Sequence, residues 1–213
     1  GDIMNETEEV LRYLGFGNKK ADERTFKTIG SCMQELSVIK PKLVSRTFPL
    51  TIDGGVLIGN LNIESKNLKK HLNGCDRAVL FAATLGTNAD FLLERTSKTD
   101  IAKAVIMQAC AAVKIESFCD KFQDNTAKQY GKEGYYLKPR YSPGYGDFPI
   151  QYQREIIKTL DCQKRIGLSM TDEYMLVPSK SVTAIIGLTK TIEGCVTSKC
   201  KNCGLKSCPF RKD

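Results

Sequence analysis

The chain has 213 residues, of which 41% are hydrophobic and 26% charged, and its formal net charge is +8. That length suits one sizeable core, or one domain with an appendage, and the composition excludes fibrous and disordered classes. No apolar run is long enough to span a bilayer, and Gly1 to Glu6 lack the basic and apolar regions of a secretory signal, so a cytoplasmic protein without membrane association is expected.

Taken in chain order, Asn5 is placed to cap a first helix carrying Val10, Leu11 and Leu14, which Gly15 to Gly17 end. A second helix reads from about Ala21 to Ile39, with Phe26, Ile29, Cys32, Met33 and Leu36 on one stripe. Leu43 to Ile52 alternates as a strand and turns at Asp53-Gly54-Gly55 into another near Val56 to Leu61. Ser65 to Leu72 reads as a short helix, and Arg77 to Leu85 as a fully apolar central strand. Asn88 is expected to cap a helix to Thr96, and the longest helix runs from Asp100 to about Tyr130. Pro149 is expected to open a helix to about Leu160, after which Tyr174–Val177 and Val182–Leu188 read as a final pair of strands. Strands and helices mix without strict βαβ alternation. The expected fold is therefore α+β: a single domain over residues 1–190, with a mixed or antiparallel sheet packed by long helices, and a Cys-rich tail over 191–213.

The segment Arg140-Tyr141-Ser142-Pro143-Gly144-Tyr145-Gly146-Asp147-Phe148-Pro149 cannot be ordinary helix or strand. Proline fixes φ and removes a donor, whereas glycine opens backbone angles closed to other residues. A rigid loop that exposes its backbone is expected. Arg140 at its mouth can clamp a carboxylate through two parallel hydrogen bonds, and Tyr145 offers a flat face to a ring. A ligand with both a carboxylate and an aromatic group suits this pair; a tight surface turn with an incidental arginine is the alternative.

The pattern Arg-x-x-x-Gly-Tyr-x-x-x-Pro resembles the S-adenosylmethionine-binding loop of the activation domain of cobalamin-dependent methionine synthase. The downstream run agrees in order and approximate spacing: Ile166-Gly167-Leu168-Ser169-Met170-Thr171-Asp172, Tyr174 to Pro178, and Ser181-Val182-Thr183. The likeness covers roughly residues 100 to 190. It implies that Arg140 meets the methionyl carboxylate, that Tyr145 and the backbone around Gly144 line the adenosine and sulfonium region, and that Asp172 is an acidic contact. The family also contributes an aspartate near its N-terminal end and a tyrosine near its C-terminal end, neither of which the motifs place in this chain.

Glu116 and Asp120 lie four residues apart on one helix face. Either Glu116 could steady a cationic ligand group or the pair forms a solvated acidic face. His71, the only histidine, sits among Lys69 and Lys70 and is expected to be solvated. A lone histidine outside an evident pocket argues against Ser-His-Asp or Cys-His chemistry, so no catalytic residue is assigned.

Nine cysteines are many for this length. Five are scattered singly and behave as small hydrophobes, and without secretory features a disulfide framework is not expected. Cys195, Cys200, Cys203 and Cys208 form C-x4-C-x2-C-x4-C in a segment too polar to bury a core. Four thiolates at this spacing can close around zinc or an iron–sulfur cluster, the alternatives being disulfides or free thiols.

The resemblance implies a module that holds S-adenosylmethionine against the cobalt of a cobalamin carried elsewhere. The partners expected are a cobalamin-binding protein or truncated methionine synthase, and an acidic flavodoxin- or ferredoxin-type electron donor suited to the basic charge. An iron–sulfur redox module, or an S-adenosylmethionine-binding protein with a zinc knuckle, are the other readings. Dispersed basic residues give no footprint for nucleic acid.

Overall fold

A computed structural model describes residues 2–16, 21–192 and 195. At its centre lie six strands: β1 (Lys42–Asp53), β2 (Gly55–Ile58), β3 (Leu61–Ile63), β4 (Cys75–Thr84), β5 (Tyr136–Leu137) and β8 (Ser181–Thr189). They pair in the order β3-β2-β1-β4-β8-β5, and each pairing is antiparallel. One face carries α1 (Asp2–Tyr13), α2 (Glu23–Ser37), α4 (Thr87–Thr99) and the long α5 (Ile101–Gly131). The other carries α3 (Lys66–His71), α6 (Tyr152–Thr159) and α7 (Cys162–Ile166). The fold is α+β, an antiparallel sheet between two helical layers.

Coverage of both faces explains why β4 reads as a continuous apolar run. Its residues alternate sides: Val79, Phe81 and Ala83 pack with Ile29, Leu36 and Met107, whereas Ala78, Leu80 and Ala82 pack with Leu68, Ile156 and Leu160. With β1 and β8 as its neighbours, β4 from Ala78 to Thr84 has no solvent-facing side to polarise. Burial of each large side chain there contributes about 1.5–3 kcal/mol.

The starts of α2, α3 and α5 follow the chain's own capping residues. The side chains of Asp22, Ser65 and Asp100 accept from the backbone N–H of Thr25, Leu68 and Lys103. Three expectations are corrected. α1 begins at Asp2, so Asn5 lies inside it rather than capping it. α4 begins at Thr87 behind Gly86 rather than under an Asn88 cap. Pro149 opens only a turn, and the regular helix starts at Tyr152. The two final strands expected are present as β7 (Leu176–Val177) and β8: β7 pairs with β6 (Ser169–Met170) in a small separate ribbon, while β8 inserts between β4 and β5. The physical reason is length: β8 is long enough to follow β4 along its whole run, which two-residue β7 cannot do.

Among the described residues no helix is long and apolar enough to cross a membrane.

Candidate functional site

The segment after β5 continues along the open edge of β8. Lys138 N–H donates to Gly187 O at 2.9 Å, and Tyr141 exchanges both backbone hydrogen bonds with Ile185 at 2.9 Å. The chain then leaves the sheet in a loop tied by its own backbone: Gly144 N–H to Phe148 O at 2.8 Å and Phe148 N–H to Tyr145 O at 3.0 Å. Gly144 and Gly146 have φ of +92° and +56°, a region that side chains disfavour. Phe148 is buried and pins the loop to the core, stacked 6.3 Å from Tyr141 at an interplanar angle of 26°. Tyr145 is 62% exposed and stands 6.4 Å from Tyr141.

Arg140 sits where this edge segment becomes the loop. Its Nη2 meets Glu116 Oε2 and its Nη1 meets Asp120 Oδ1, each at 2.5 Å. The i,i+4 spacing on α5 presents the two carboxylates to one guanidinium fork, which joins residues that the sequence pattern left separate. Burial disfavours the charged guanidinium, but Asp120 and then Glu116 more than offset it, and Arg140 is held above its ordinary pKa. Cys119, between the two acids, is pushed up to about 12, chiefly by burial.

Tyr13, at the end of α1, was not singled out from sequence. Burial, followed by the nearby Glu116 charge, raises its pKa, and Tyr145 also lies within electrostatic reach. Two tyrosines from distant parts of the chain thus stand near the Arg140 cluster. Only the folded arrangement of α1 against α5 brings Tyr13 there, and no local motif marks it.

The opposite side of the loop rests on α3. Asp147 accepts from Ser65 Oγ at 2.5 Å, Lys66 N–H at 2.8 Å and Asn67 N–H at 3.0 Å. These donors hold its carboxyl below the usual range, the Ser65 bond foremost. The expectation of a solvated His71 is corrected: the ring is half-buried, 5.0 Å from the Tyr141 ring, and Nε2 lies 2.7 Å from Pro139 O. The turn of α3 that exposes Lys69 and Lys70 directs His71 inward.

Asp172 lies in the turn between β6 and β7, with its side chain fully exposed and Oδ1 3.8 Å from Arg154 Nη2. The structure brings Glu116, Arg140, Gly144 and Tyr145 into one region and places Asp172 on this separate ribbon. Tyr174, in the same turn, has φ of +63° and is held by Gln153, whose Nε2 donates to Tyr174 O at 3.0 Å. Of the four tail cysteines, Cys195 is half-buried, with its Sγ 3.6 Å from Thr191 O and its pKa raised by burial. Cys200, Cys203 and Cys208, and with them the expected metal centre, lie outside the described residues.

The family described as vitamin B12 dependent methionine synthase, activation domain, matches residues 68–201. No curated protein matches the chain. Among solved structures, the crystal structure of the MetH reactivation domain bound to AdoHcy is similar, with a TM-score of 0.61 and 19% sequence identity. The likeness covers 78% of this chain but only 64% of that one, and at this identity it shows a shared fold.

Proposed function

The chain belongs to the activation-domain family of vitamin B12 dependent methionine synthase, and from that premise we propose that it binds S-adenosylmethionine at the Arg140–Pro149 loop. Its role is to support reductive methylation of a cobalamin carried by a separate protein. The observation that carries this reading is the Arg140 fork held by Glu116 and Asp120, with the Tyr145 ring exposed near it.

S-adenosylmethionine brings a carboxylate, an ammonium, a sulfonium and an adenine. Arg140 is suited to the carboxylate. Glu116 and Asp120 are suited to the cationic centres, and the Tyr145 face and the backbone near Gly144 to the adenosine. The ligand's opposite charges can then replace parts of the existing ion pairs charge for charge, so that no buried guanidinium is stranded. Asp172, exposed in the β6–β7 turn, is proposed as a further acidic contact. The AdoHcy-bound relative supports a ligand of this class.

The cobalt chemistry belongs to the cobalamin, on a cobalamin-binding protein or a methionine synthase lacking this module. Its electron comes from an acidic flavodoxin- or ferredoxin-type donor. This chain contributes positioning: it fixes the methionyl end so that the sulfonium methyl faces outward. No side chain is assigned an acid–base role. Cys195, Cys200, Cys203 and Cys208 are proposed to ligate an iron–sulfur cluster or zinc, supported by their spacing in a polar segment.

The test combines the chain, a corrinoid protein loaded with cob(II)alamin, a reductant and methyl-labelled S-adenosylmethionine. Label should appear on the cobalamin only when the chain is present. Equal labelling without the chain, or none with it, overturns the proposal.

A further inference from the structure

Both ends of the ligand loop are referenced to one short helix. At the entrance, Pro139 O accepts from His71 Nε2 at 2.7 Å; a carbonyl can only accept, so Nε2 carries the proton. At the far end the Asp147 carboxylate takes three donors from Ser65, Lys66 and Asn67. Between these contacts, Gly146 approaches α3 so closely that a Cβ would overlap the Asn67 side chain and come within 2.8 Å of the Tyr141 hydroxyl. α3 is itself fixed, because Leu68 and Leu72 are fully buried and Ser65 caps its first turn at 3.0 Å from Leu68 N.

We propose that α3 is the platform that sets the ligand loop, with Asp147 as its main positioning residue and His71 as a second. This rests on the reading that the loop binds S-adenosylmethionine. Asp147 acts through the loop: the Phe148–Tyr145 and Gly144–Phe148 backbone bonds connect its neighbour to the residues proposed to face the ligand. A three-donor carboxylate fixes both the height and the tilt of that short segment, where one bond would leave it free to rock. Loosening it displaces Tyr145 and the Gly144 backbone relative to Arg140, which is held by Glu116 and Asp120 on α5.

The experiment measures the dissociation constant of S-adenosylmethionine by calorimetry, with thermal melting in parallel, for wild type, Asp147→Ala, Asp147→Asn, Ser65→Ala and His71→Gln. Asp147→Ala should weaken binding about tenfold, the scale of losing hydrogen bonds to a charged acceptor. Asp147→Asn keeps one carbonyl acceptor and should recover part of the loss. Ser65→Ala should weaken binding less, and add little on top of Asp147→Ala, because both act through one connection. His71→Gln keeps a donor for Pro139 O but loses the ring beside Tyr141, so it should weaken binding by less than Asp147→Ala, and unchanged affinity removes His71 from the platform. Wild-type affinity in folded Asp147→Ala overturns the positioning role while leaving the ligand assignment intact. A wild-type chain that does not bind overturns the ligand assignment itself. Should Asp147→Ala not fold, Asp147→Asn and Ser65→Ala decide by the same criterion.

Discussion

Arg140 shows what residue type can and cannot reveal. A guanidinium next to Pro- and Gly-rich sequence suits a clamp, and the Tyr145 ring suits a stacking contact. That Arg140 is already engaged by Glu116 and Asp120 could not be read, because the contact joins a sheet edge to a helix through the tertiary fold. The burial of His71 is hidden for the same reason: its lysine neighbours describe the helix surface, whereas its partner is a carbonyl 68 residues away. Cys119 carries a prediction at this scale. Burial holds its thiol neutral up to about 12, as it does that of Cys162. A pKa raised above the unfolded value favours the folded state below ordinary thiol titration, and that advantage is lost as pH rises toward 12. Alkylation followed by mass mapping at pH 8 should therefore leave both cysteines unlabelled in the folded protein and labelled in denaturant.

Elements with local signals were legible. Ser65 and Asp100 cap the helices expected to follow them, and the apolar run that became β4 marked the centre of the sheet. The shortest strands were not legible. Two-residue strands such as β5 and β6 carry too little periodicity to be found, and their partners are chosen by the whole sheet. β8 also contains a close approach that no pattern flags: a Cβ at Gly187 would lie 2.7 Å from both Cys75 Sγ and Leu72 Cδ2. Gly187→Ala should therefore destabilise the protein by about 1–3 kcal/mol, the usual cost of overpacking a core, and chemical denaturation measures it. The tail makes a separate prediction. Protein isolated without oxygen should hold close to stoichiometric iron or zinc, and replacing Cys195, Cys200, Cys203 and Cys208 by serine should remove it. Metal content that is negligible, or unchanged in the variant, refutes the ligand set.

At the scale of the whole molecule, two helical layers divide the labour around one antiparallel sheet. The α1, α2, α4 and α5 layer supplies the acids and Tyr13; the α3, α6 and α7 layer supports the loop; and the β8 edge carries Arg140 between them. The α+β class followed from element order, and the motif run from Arg140 to Ser181 pointed to the family that the match over residues 68–201 establishes. The site's completeness was less legible, because its walls come from parts of the chain with no shared motif. The central claim, that S-adenosylmethionine binds through Arg140, is tested most directly by calorimetric titration of wild type and Arg140→Ala. The variant should lose about 2–4 kcal/mol of binding, the scale of removing a charge-assisted bidentate contact at a largely buried guanidinium. Equal affinity in the two proteins would contradict the account.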